Sequence, residues 1–225
     1  MWTSSLGKKY VMAVTGLFLL GFLLAHLLGN LQIFLGPDWL NGYAEHLKNL
    51  PLVAWPARGI LSLCLLAHFI SAALLAAQNK KARPISYKVQ DTVRATLASR
   101  TMVASGLGVF FFVVYHLLHA TWGVAHPQFF HLTDAQGRHD VYSMMILSFQ
   151  NPLIAGTYVT ALLVLSTHAG HASSSFLQSL GWTPRGAERK MTIAGQVFGW
   201  FLFIGYASIP VSAWAGYLKP LQGGH

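Results

Sequence analysis

The chain has 225 residues, of which 54% are hydrophobic and only 9% are charged, whereas a soluble domain carries about 25% charged residues. This composition excludes an ordinary soluble protein and predicts an all-α integral membrane protein. The formal net charge of +9 does not indicate nucleic-acid binding, because most Lys and Arg residues lie in short loops between apolar segments. The single cysteine, Cys64, cannot hold an iron–sulfur cluster, which needs about four ligands.

Five apolar segments are each long enough to cross a hydrocarbon core of about 30 Å as a helix. We predict spans at about 10–34, 55–78, 101–124, 152–176 and 191–217, in a single membrane-embedded domain over residues 1–225 without an internal repeat. The segment after the first span is typical of a short interfacial helix, and the loop after the third has room for another interfacial turn. Gly195 and Gly199 predict that the fifth span packs closely on a neighbouring helix as a buttress.

Basic residues are distributed unevenly between the two sets of loops. If the N-terminus is cytoplasmic, eleven Lys and Arg residues lie on that side and four on the opposite side. The positive-inside rule therefore predicts a cytoplasmic N-terminus and, after five spans, a C-terminus on the other side.

Four of the spans carry a histidine whose depth can be counted along the helix. His26 lies 16 residues beyond the inner end of the first span and His116 about 16 beyond Arg100, so both are about 24 Å from the inner face. His68 and His168 lie about 10 and about 8 residues before the inner ends of their spans, which places both about 12 to 15 Å from that face. A histidine in lipid is costly unless it has a partner. The sequence therefore predicts two histidine pairs at two depths.

A pair of imidazoles at one depth on two helices is the ligand set of a bis-histidine haem, whose macrocycle fits between the helices of a bundle. We therefore predict a bundle of four haem-binding helices plus a fifth helix. Gly21, Gly29 and Gly170 are expected to let a porphyrin approach the backbone. His119 and His171 each follow a predicted ligand by three residues, and we expect them to pack or hydrogen-bond beside a haem. Four further histidines are expected to be solvated loop residues: His46, His126, His131 and His139.

The segments around the predicted ligands resemble a known family. These segments are TGLFLLGFLLAHLLGN, LLAHFISA, VVYHLLHATWG and LSTHAGHASSSFLQSLGW, one in each of the first four spans. They are similar to the five-helix, dihaem cytochrome b subunits that anchor succinate:quinone oxidoreductases, namely succinate dehydrogenases and fumarate reductases. The resemblance covers essentially the whole chain. It implies that His26 and His116 ligate the distal haem b and that His68 and His168 ligate the proximal one.

The resemblance also implies partners and a location. It implies a flavoprotein subunit with FAD and an iron–sulfur subunit docked on the cytoplasmic face. The chain would then be the quinone-reactive subunit of an enzyme complex, not an enzyme alone. Electrons from succinate would pass through the clusters and the two haems to a membrane quinone, which is menaquinone in the members that this chain resembles. The expected location is a bacterial cytoplasmic membrane.

Several single residues follow as expectations. The family's quinone site uses a carboxylate after the first span, for which Glu45 is the nearest counterpart and Asp38 the alternative. A glutamate that lies two residues before the fourth-span ligand in some fumarate reductases is replaced here by Ser166. Arg100 and Lys9, near the inner edge, are expected either to bind the propionates of the proximal haem or to anchor their helices at the membrane surface.

Two other interpretations fit part of the pattern. A dihaem cytochrome b that anchors a hydrogenase or a formate dehydrogenase would share the haem chemistry but not the histidine order. A haem-free transporter would use the histidines as proton relays. Such transporters more often carry acidic residues in their spans, and the five predicted spans contain no Asp or Glu.

Overall fold

The computed structural model of the protein describes residues 4–82, 97–179, 184 and 186–221, and the side chains of residues 97–100 and 177–179 lie outside that description. The described chain is helical throughout, apart from its loops and one isolated β-bridge between Thr133 and His139. A 3-10 turn at Gln32–Leu35 follows the first helix, and a π-helical turn at Leu117–Thr121 follows the fourth. The helices are α1 (Ser5–Leu31), α2 (Pro37–Lys48), α3 (Pro51–Ala82), α4 (Leu97–His116), α5 (Pro127–Phe130), α6 (Val141–Gln150), α7 (Pro152–Ser179) and α8 (Glu188–Trp214).

Five helical segments in the described residues are long and apolar enough to cross a membrane. They are Ser5–Leu35, Pro51–Ala82, Thr101–Thr121, Pro152–Phe176 and Glu188–Trp214. The protein is therefore an all-α, multi-pass membrane protein, as the sequence predicts. The observed ends differ from the predicted ones by a few residues. For example, α1 begins earlier because the Ser4 side chain caps it, accepting a hydrogen bond from the Gly7 backbone N–H at 3.0 Å.

Four of these helices form a bundle. α1 contacts α3 and α7, and α4 also contacts α3 and α7, so α1 and α4 lie on one diagonal of the bundle and α3 and α7 on the other. Consecutive spans run in opposite directions. We call the end at which α1 begins the inner end and the opposite end the outer end. The orientation of these ends in the membrane stays a prediction.

The fifth span, α8, packs chiefly on α7 and also contacts α1. A Cβ atom on Gly170 of α7 would lie 2.8 Å from the carbonyl oxygen of Gly195, and one on Gly199 would lie 2.6 Å from the carbonyl oxygen of Ser166. The two backbones therefore touch, and a side chain at these positions would separate them. The predicted close packing of the fifth span through small residues is confirmed.

A cap built from α2, α5 and α6 covers the outer end. α6 has ten residues, seven of which are buried, and it packs with α2, α7 and α8 in one apolar cluster. The sequence predicts only an interfacial turn between the third and fourth spans, so the buried helix was missed. A short apolar run is ambiguous, since the same pattern fits a buried helix, a strand or an interfacial segment.

A polar network fastens the cap. The Arg138 guanidinium forms ion pairs with Asp134, at 2.7 Å, and with Asp38, at 3.0 Å. Asn41 of α2 donates a hydrogen bond to the Asp134 carboxylate at 3.2 Å. Burial alone would raise the pKa of Asp134, but the hydrogen bonds from Arg138 and Asn41 outweigh it and lower the pKa. The network therefore ties α2 to the loop that precedes α6.

Candidate functional site

His26 of α1 and His116 of α4 face each other across the bundle near its outer end. Their ring centroids are 5.9 Å apart and their planes differ by 79°. Two imidazoles on opposite sides of one metal ion, each bound at about 2.0 Å through nitrogen, have ring centres about 6 Å apart. The structure therefore brings this predicted pair together at the spacing that a bis-histidine iron requires.

His68 of α3 and His168 of α7 lie closer to the inner end, where each contacts a neighbouring helix of the bundle, α1 and α4 respectively. A Cβ atom on Gly16 of α1 would lie 3.2 Å from Cε1 of His68, and one on Gly106 of α4 would lie 3.2 Å from Cε1 of His168. Each imidazole thus occupies space left by a glycine on the neighbouring helix. Both glycines precede the outer histidine of their helix by ten residues, so the two levels are about 15 Å apart.

Hydrogen bonds define the tautomers of the inner pair. Nδ1 of His68 lies 3.1 Å from the carbonyl oxygen of Met12, which can only accept, so Nδ1 carries the proton. Nδ1 of His168 lies 3.0 Å from Oγ of Ser105, whose own proton is donated to the Met102 carbonyl. His168 Nδ1 is therefore also the donor. Both imidazoles keep their Nε2 lone pair, which is the form in which neutral histidine binds a metal.

A longer chain of hydrogen bonds defines the tautomer of His116. Ser148 Oγ donates to the Met144 carbonyl at 2.7 Å, so it accepts from His119 Nε2 at 3.0 Å. His119 Nδ1 then accepts from the Tyr158 hydroxyl at 2.7 Å, because a neutral imidazole has one donor and one acceptor. The Tyr158 oxygen accepts from His116 Nδ1 at 3.2 Å. His116 is left with a free lone pair on Nε2.

The fourth predicted ligand, His26, is held by aromatic packing. The ring of Phe22, one turn earlier, stacks on it at 5.2 Å between centroids, and the ring of Tyr206 lies at 6.2 Å. The Tyr206 hydroxyl donates to the Leu23 carbonyl at 2.7 Å, which fixes α8 against α1 beside the histidine. Position and orientation of His26 therefore depend on both α1 and α8.

The contacts reveal a local correspondence between α1 and α4. The residues that hold or precede the histidines recur with an offset of 90 positions. The corresponding pairs are Met12 and Met102, Thr15 and Ser105, Gly16 and Gly106, Phe22 and Phe112, and His26 and His116. Alignment of the chain with itself on the two outer histidines is the signal that would have found this correspondence.

The two histidines that follow a predicted ligand do hydrogen-bond, as expected. His119 is 2% exposed, and both its nitrogens are engaged by Tyr158 and Ser148. The π-helical turn Leu117–Thr121, directly after His116, contains it, and such turns are frequent at functional sites. His171 contacts Ser175 on its own helix at 3.2 Å from Nε2.

Among the histidines expected to be solvated, two are bonded to the protein instead. His126 Nε2 lies 3.0 Å from the Tyr115 hydroxyl, and His139 Nε2 donates to the Phe130 carbonyl at 2.6 Å. Their loop folds back over the end of α4, which sequence spacing alone does not indicate. His46 and His131 are exposed, as predicted.

Of the three glycines expected beside a porphyrin, two serve other contacts. Gly170 lies against the backbone of α8. A Cβ atom on Gly29 would lie 2.8 Å from Cε1 of Tyr43, so this glycine makes room for an aromatic ring of α2. Gly21 alone has open space, since a Cβ atom there would meet nothing within 4 Å. The glycines that contact the predicted ligands are instead Gly16 and Gly106.

The two carboxylates considered for a quinone site differ in their surroundings. Glu45 is exposed on α2. Asp38 is also exposed but forms the ion pair with Arg138, and it lines an open cavity of about 370 Å³ at the outer end. The other residues that line this cavity are Gln32, Trp39, Gly42, Tyr43 and His46.

The residues expected near the inner haem are placed as follows. The side chain of Arg100 lies outside the described residues. Lys9 is exposed, whereas its neighbour Lys8 is buried, with 2% of its surface accessible. Ser166 is also 2% exposed, and its carbonyl lies against Gly199 of α8. Ser166 therefore belongs to the α7–α8 contact.

Comparison of the chain with protein-family models, with curated proteins and with solved structures gives no match. The function is therefore inferred from the geometry above together with the sequence resemblance.

Proposed function

We propose that the protein is the membrane-anchor cytochrome b subunit of a succinate:quinone oxidoreductase. His26 and His116 would hold one haem b, and His68 and His168 the other. The observation that supports this proposal is the placement of four imidazoles from four spans at two levels, with His26 beside His116 and with Nδ1 of the other three hydrogen-bonded, in His116 to Tyr158. Nε2 of His68, His116 and His168 is left available. Bound haem would supply one-electron transfer at each level.

The four histidine imidazoles are chemically suited to bind iron in a porphyrin. A metal-ligating histidine normally donates its other ring N–H to a carbonyl or another acceptor, which fixes the ring and raises its basicity. Met12, Ser105 and Tyr158 provide such acceptors for three of the four candidates. The residues of this chain would thus hold neutral imidazoles in fixed orientations and exclude water with aromatic and aliphatic side chains.

The assignment to succinate:quinone oxidoreductases is supported by the four histidine segments and their order along the chain. With it come the proposed partners, a flavoprotein with FAD and an iron–sulfur subunit, which would dock at the inner end. The proposed location is a bacterial cytoplasmic membrane, with menaquinone as the electron carrier. The basic residues at the inner end, among them Lys80 and Lys81 at the end of α3, support a cytoplasmic inner end.

The outer cavity is the proposed place for the quinone. Gln32, on its wall, lies six residues beyond His26, which is about 9 Å along a helix. Asp38 lines the cavity and Glu45 does not, so we favour Asp38 as the carboxylate that serves the quinone. Asp38→Asn is expected to lower quinone reduction at least tenfold, with Glu45→Gln as the matched control. The reverse result would restore Glu45 to this role.

The decisive experiment purifies the complex and records its absorbance spectrum, first oxidised and then reduced with dithionite. The haem content per chain and the rate of succinate-dependent quinone reduction are measured on the same sample. We expect a b-type spectrum, two haems per chain and succinate-driven reduction. A b-type spectrum with partners that oxidise hydrogen or formate would favour the other dihaem anchors. Absence of haem from the freshly purified complex would remove the cytochrome assignment and favour a transporter.

A further inference from the structure

Two polar side chains at the inner end of the bundle are buried without a partner. Lys8 of α1 is 2% exposed, and in the described part of the chain the ion pairs are those of Arg138, none of which involves Lys8. Ser71 of α3 is fully buried, and its Oγ has no hydrogen-bond partner. A buried ammonium group without a counter-ion is costly. Within the described residues no group supplies a counter-ion to Lys8 or an acceptor to Ser71.

Both side chains lie at the same level, inward of His68. Lys8 precedes Met12, whose carbonyl accepts the hydrogen bond from His68 Nδ1, by four residues, or about 6 Å. Ser71 follows His68 by three residues on the antiparallel helix, or about 4.5 Å toward the inner end. α1 and α3 pack against each other along this region.

The face of α1 that carries Lys8 is the face that carries the histidine contacts. Lys8 precedes Thr15 by seven residues and His26 by eighteen, which are two and five helical turns. Thr15 Oγ1 lies 3.4 Å from His68 Nδ1, and His26 faces His116. Lys9 is rotated by about 100° from Lys8 and is exposed. Lys8 is thus directed into the bundle and Lys9 away from it.

The surrounding helices provide no anion. The described residues of α1, α3, α4 and α7 include no Asp or Glu, and Glu188, at the inner end of α8, is exposed. The Ser71 hydroxyl is also unusual for its position. Hydroxyls within helices commonly bond to a carbonyl one turn back, as Thr15 does to Val11 at 2.7 Å. Ser71 makes no such bond and has its O–H free to donate.

We propose that Lys8 and Ser71 form a carboxylate-binding site, and that the carboxylate is a propionate of the haem held by His68 and His168. This inference rests on the proposed function. Lys8 contributes a positive charge and Ser71 a neutral hydrogen-bond donor. The residue next to the predicted one, Lys8 and not Lys9, is thereby assigned to the propionate. A phospholipid phosphate from the inner leaflet has the same anionic chemistry, and the experiment separates the two sources.

The test is a redox titration of the intact complex, followed by absorbance, in Lys8→Gln, Ser71→Ala and the control Lys9→Gln. The inner haem is identified by its loss in His68→Ala. Lys8→Gln is expected to raise the ratio of oxidised to reduced inner haem about tenfold at a given potential, because a positive charge that favours reduction is lost. For one electron this is a midpoint potential lower by about 59 mV. Ser71→Ala is expected to raise the same ratio two- to threefold. Lys9→Gln and the outer haem should not change, and Lys8→Arg should restore most of the shift.

An inner-haem potential in Lys8→Gln equal to that in Lys9→Gln overturns the inference. So does loss of a tightly bound phospholipid from Lys8→Gln with an unchanged inner potential, which would identify a lipid phosphate as the ligand. The spectrum of the outer haem reports whether each variant is folded. If Lys8→Gln fails to assemble, Ser71→Ala must shift the inner potential and Lys8→Arg must preserve it, or the inference fails. Wild-type complex without haem would instead refute the proposed function, and that result precedes any variant.

Discussion

The inner and outer histidine pairs are built differently, although they lie in one bundle. Each inner histidine rests on the neighbouring helix, against a glycine and beside a hydroxyl: Gly16 and Thr15 for His68, Gly106 and Ser105 for His168. The outer histidines have unlike surroundings. His26 contacts aromatic rings, whereas His116 is bonded through Tyr158 and His119 to Ser148 of the cap. The inner pair is therefore local to the bundle, whereas the outer pair also depends on α8, through His26, and on the cap, through His116.

The largest expected effect comes from removing a proposed haem ligand, which should empty one of the two proposed haem sites and leave the other occupied. His68→Ala or His168→Ala should reduce the haem content from two to one per chain by emptying the inner level. His26→Ala or His116→Ala should empty the outer level. Haem content and the reduced-minus-oxidised spectrum of each purified variant measure the outcome.

His131→Ala is the matched control for these ligand variants, because His131 is exposed in the cap loop and should leave two haems. The two inner variants should give the same residual spectrum as each other, and the two outer variants a second one. If the His26 and His68 variants gave the same residual spectrum, the assignment of these two histidines to different haems would be wrong.

A smaller effect is expected from filling the glycine contacts of the inner pair. In Gly16→Ala or Gly106→Ala the added methyl group would lie 3.2 Å from Cε1 of the adjacent histidine, which forces the imidazole to move. Overpacking of this kind costs about 1–3 kcal/mol. We expect partial loss of the inner haem and a shifted inner potential, measured by haem content and redox titration, with the outer haem unchanged.

Gly59→Ala is the control for this pair, since a Cβ atom on that exposed residue of α3 would meet nothing within 4 Å. Because α1 and α4 repeat the same contact, the two inner glycine variants should behave alike. A strong effect of one and none of the other would contradict the equivalence of the two helices at this level.

Removal of the Tyr158 hydroxyl should affect the outer level alone. Tyr158→Phe deletes the acceptor of His116 Nδ1–H and the donor to His119. A less basic His116 stabilises oxidised iron less well. If the lost hydrogen bond is worth about 1 kcal/mol, the outer potential should rise by about 40 mV, since about 1.4 kcal/mol corresponds to 59 mV for one electron. A redox titration of both haems measures the shift.

Ser105→Ala provides the inner counterpart, because it removes the acceptor of His168 Nδ1–H. It should raise the inner potential and leave the outer one unchanged. Equal movement of both haems in either variant would mean that the two levels are not held independently.

The sequence predicts the spans and the histidine pairing because both depend on counting along straight helices. His26 and His116 meet as the depth count requires. Contacts that depend on helix rotation or on loop folding were predicted less well. Lys8 and Lys9 are adjacent in the sequence. Only the separation of eighteen residues between Lys8 and His26, which is five helical turns, indicates that Lys8 is the one that faces inward. The burial of α6, and with it the position of Ser148, depends on tertiary packing that no local pattern specifies.

The smallest effect is expected from acid, which should destabilise the cap at the outer end before it affects the bundle around the inner histidines. The pKa of Asp134 is lowered in the folded protein, so its ionised form contributes stability above the pKa of about 3.9 in the unfolded chain. That contribution is lost as the pH falls through the lower folded pKa. The ion pair with Arg138 should be worth about 1 kcal/mol. Hydrogen exchange of α2 and α6, corrected for its intrinsic pH dependence, should therefore increase relative to α3 between about pH 5 and about pH 2. Asp134→Asn should show the loosened cap at neutral pH and little further change in acid, whereas an acid response equal to that of the wild type would assign the effect to other groups.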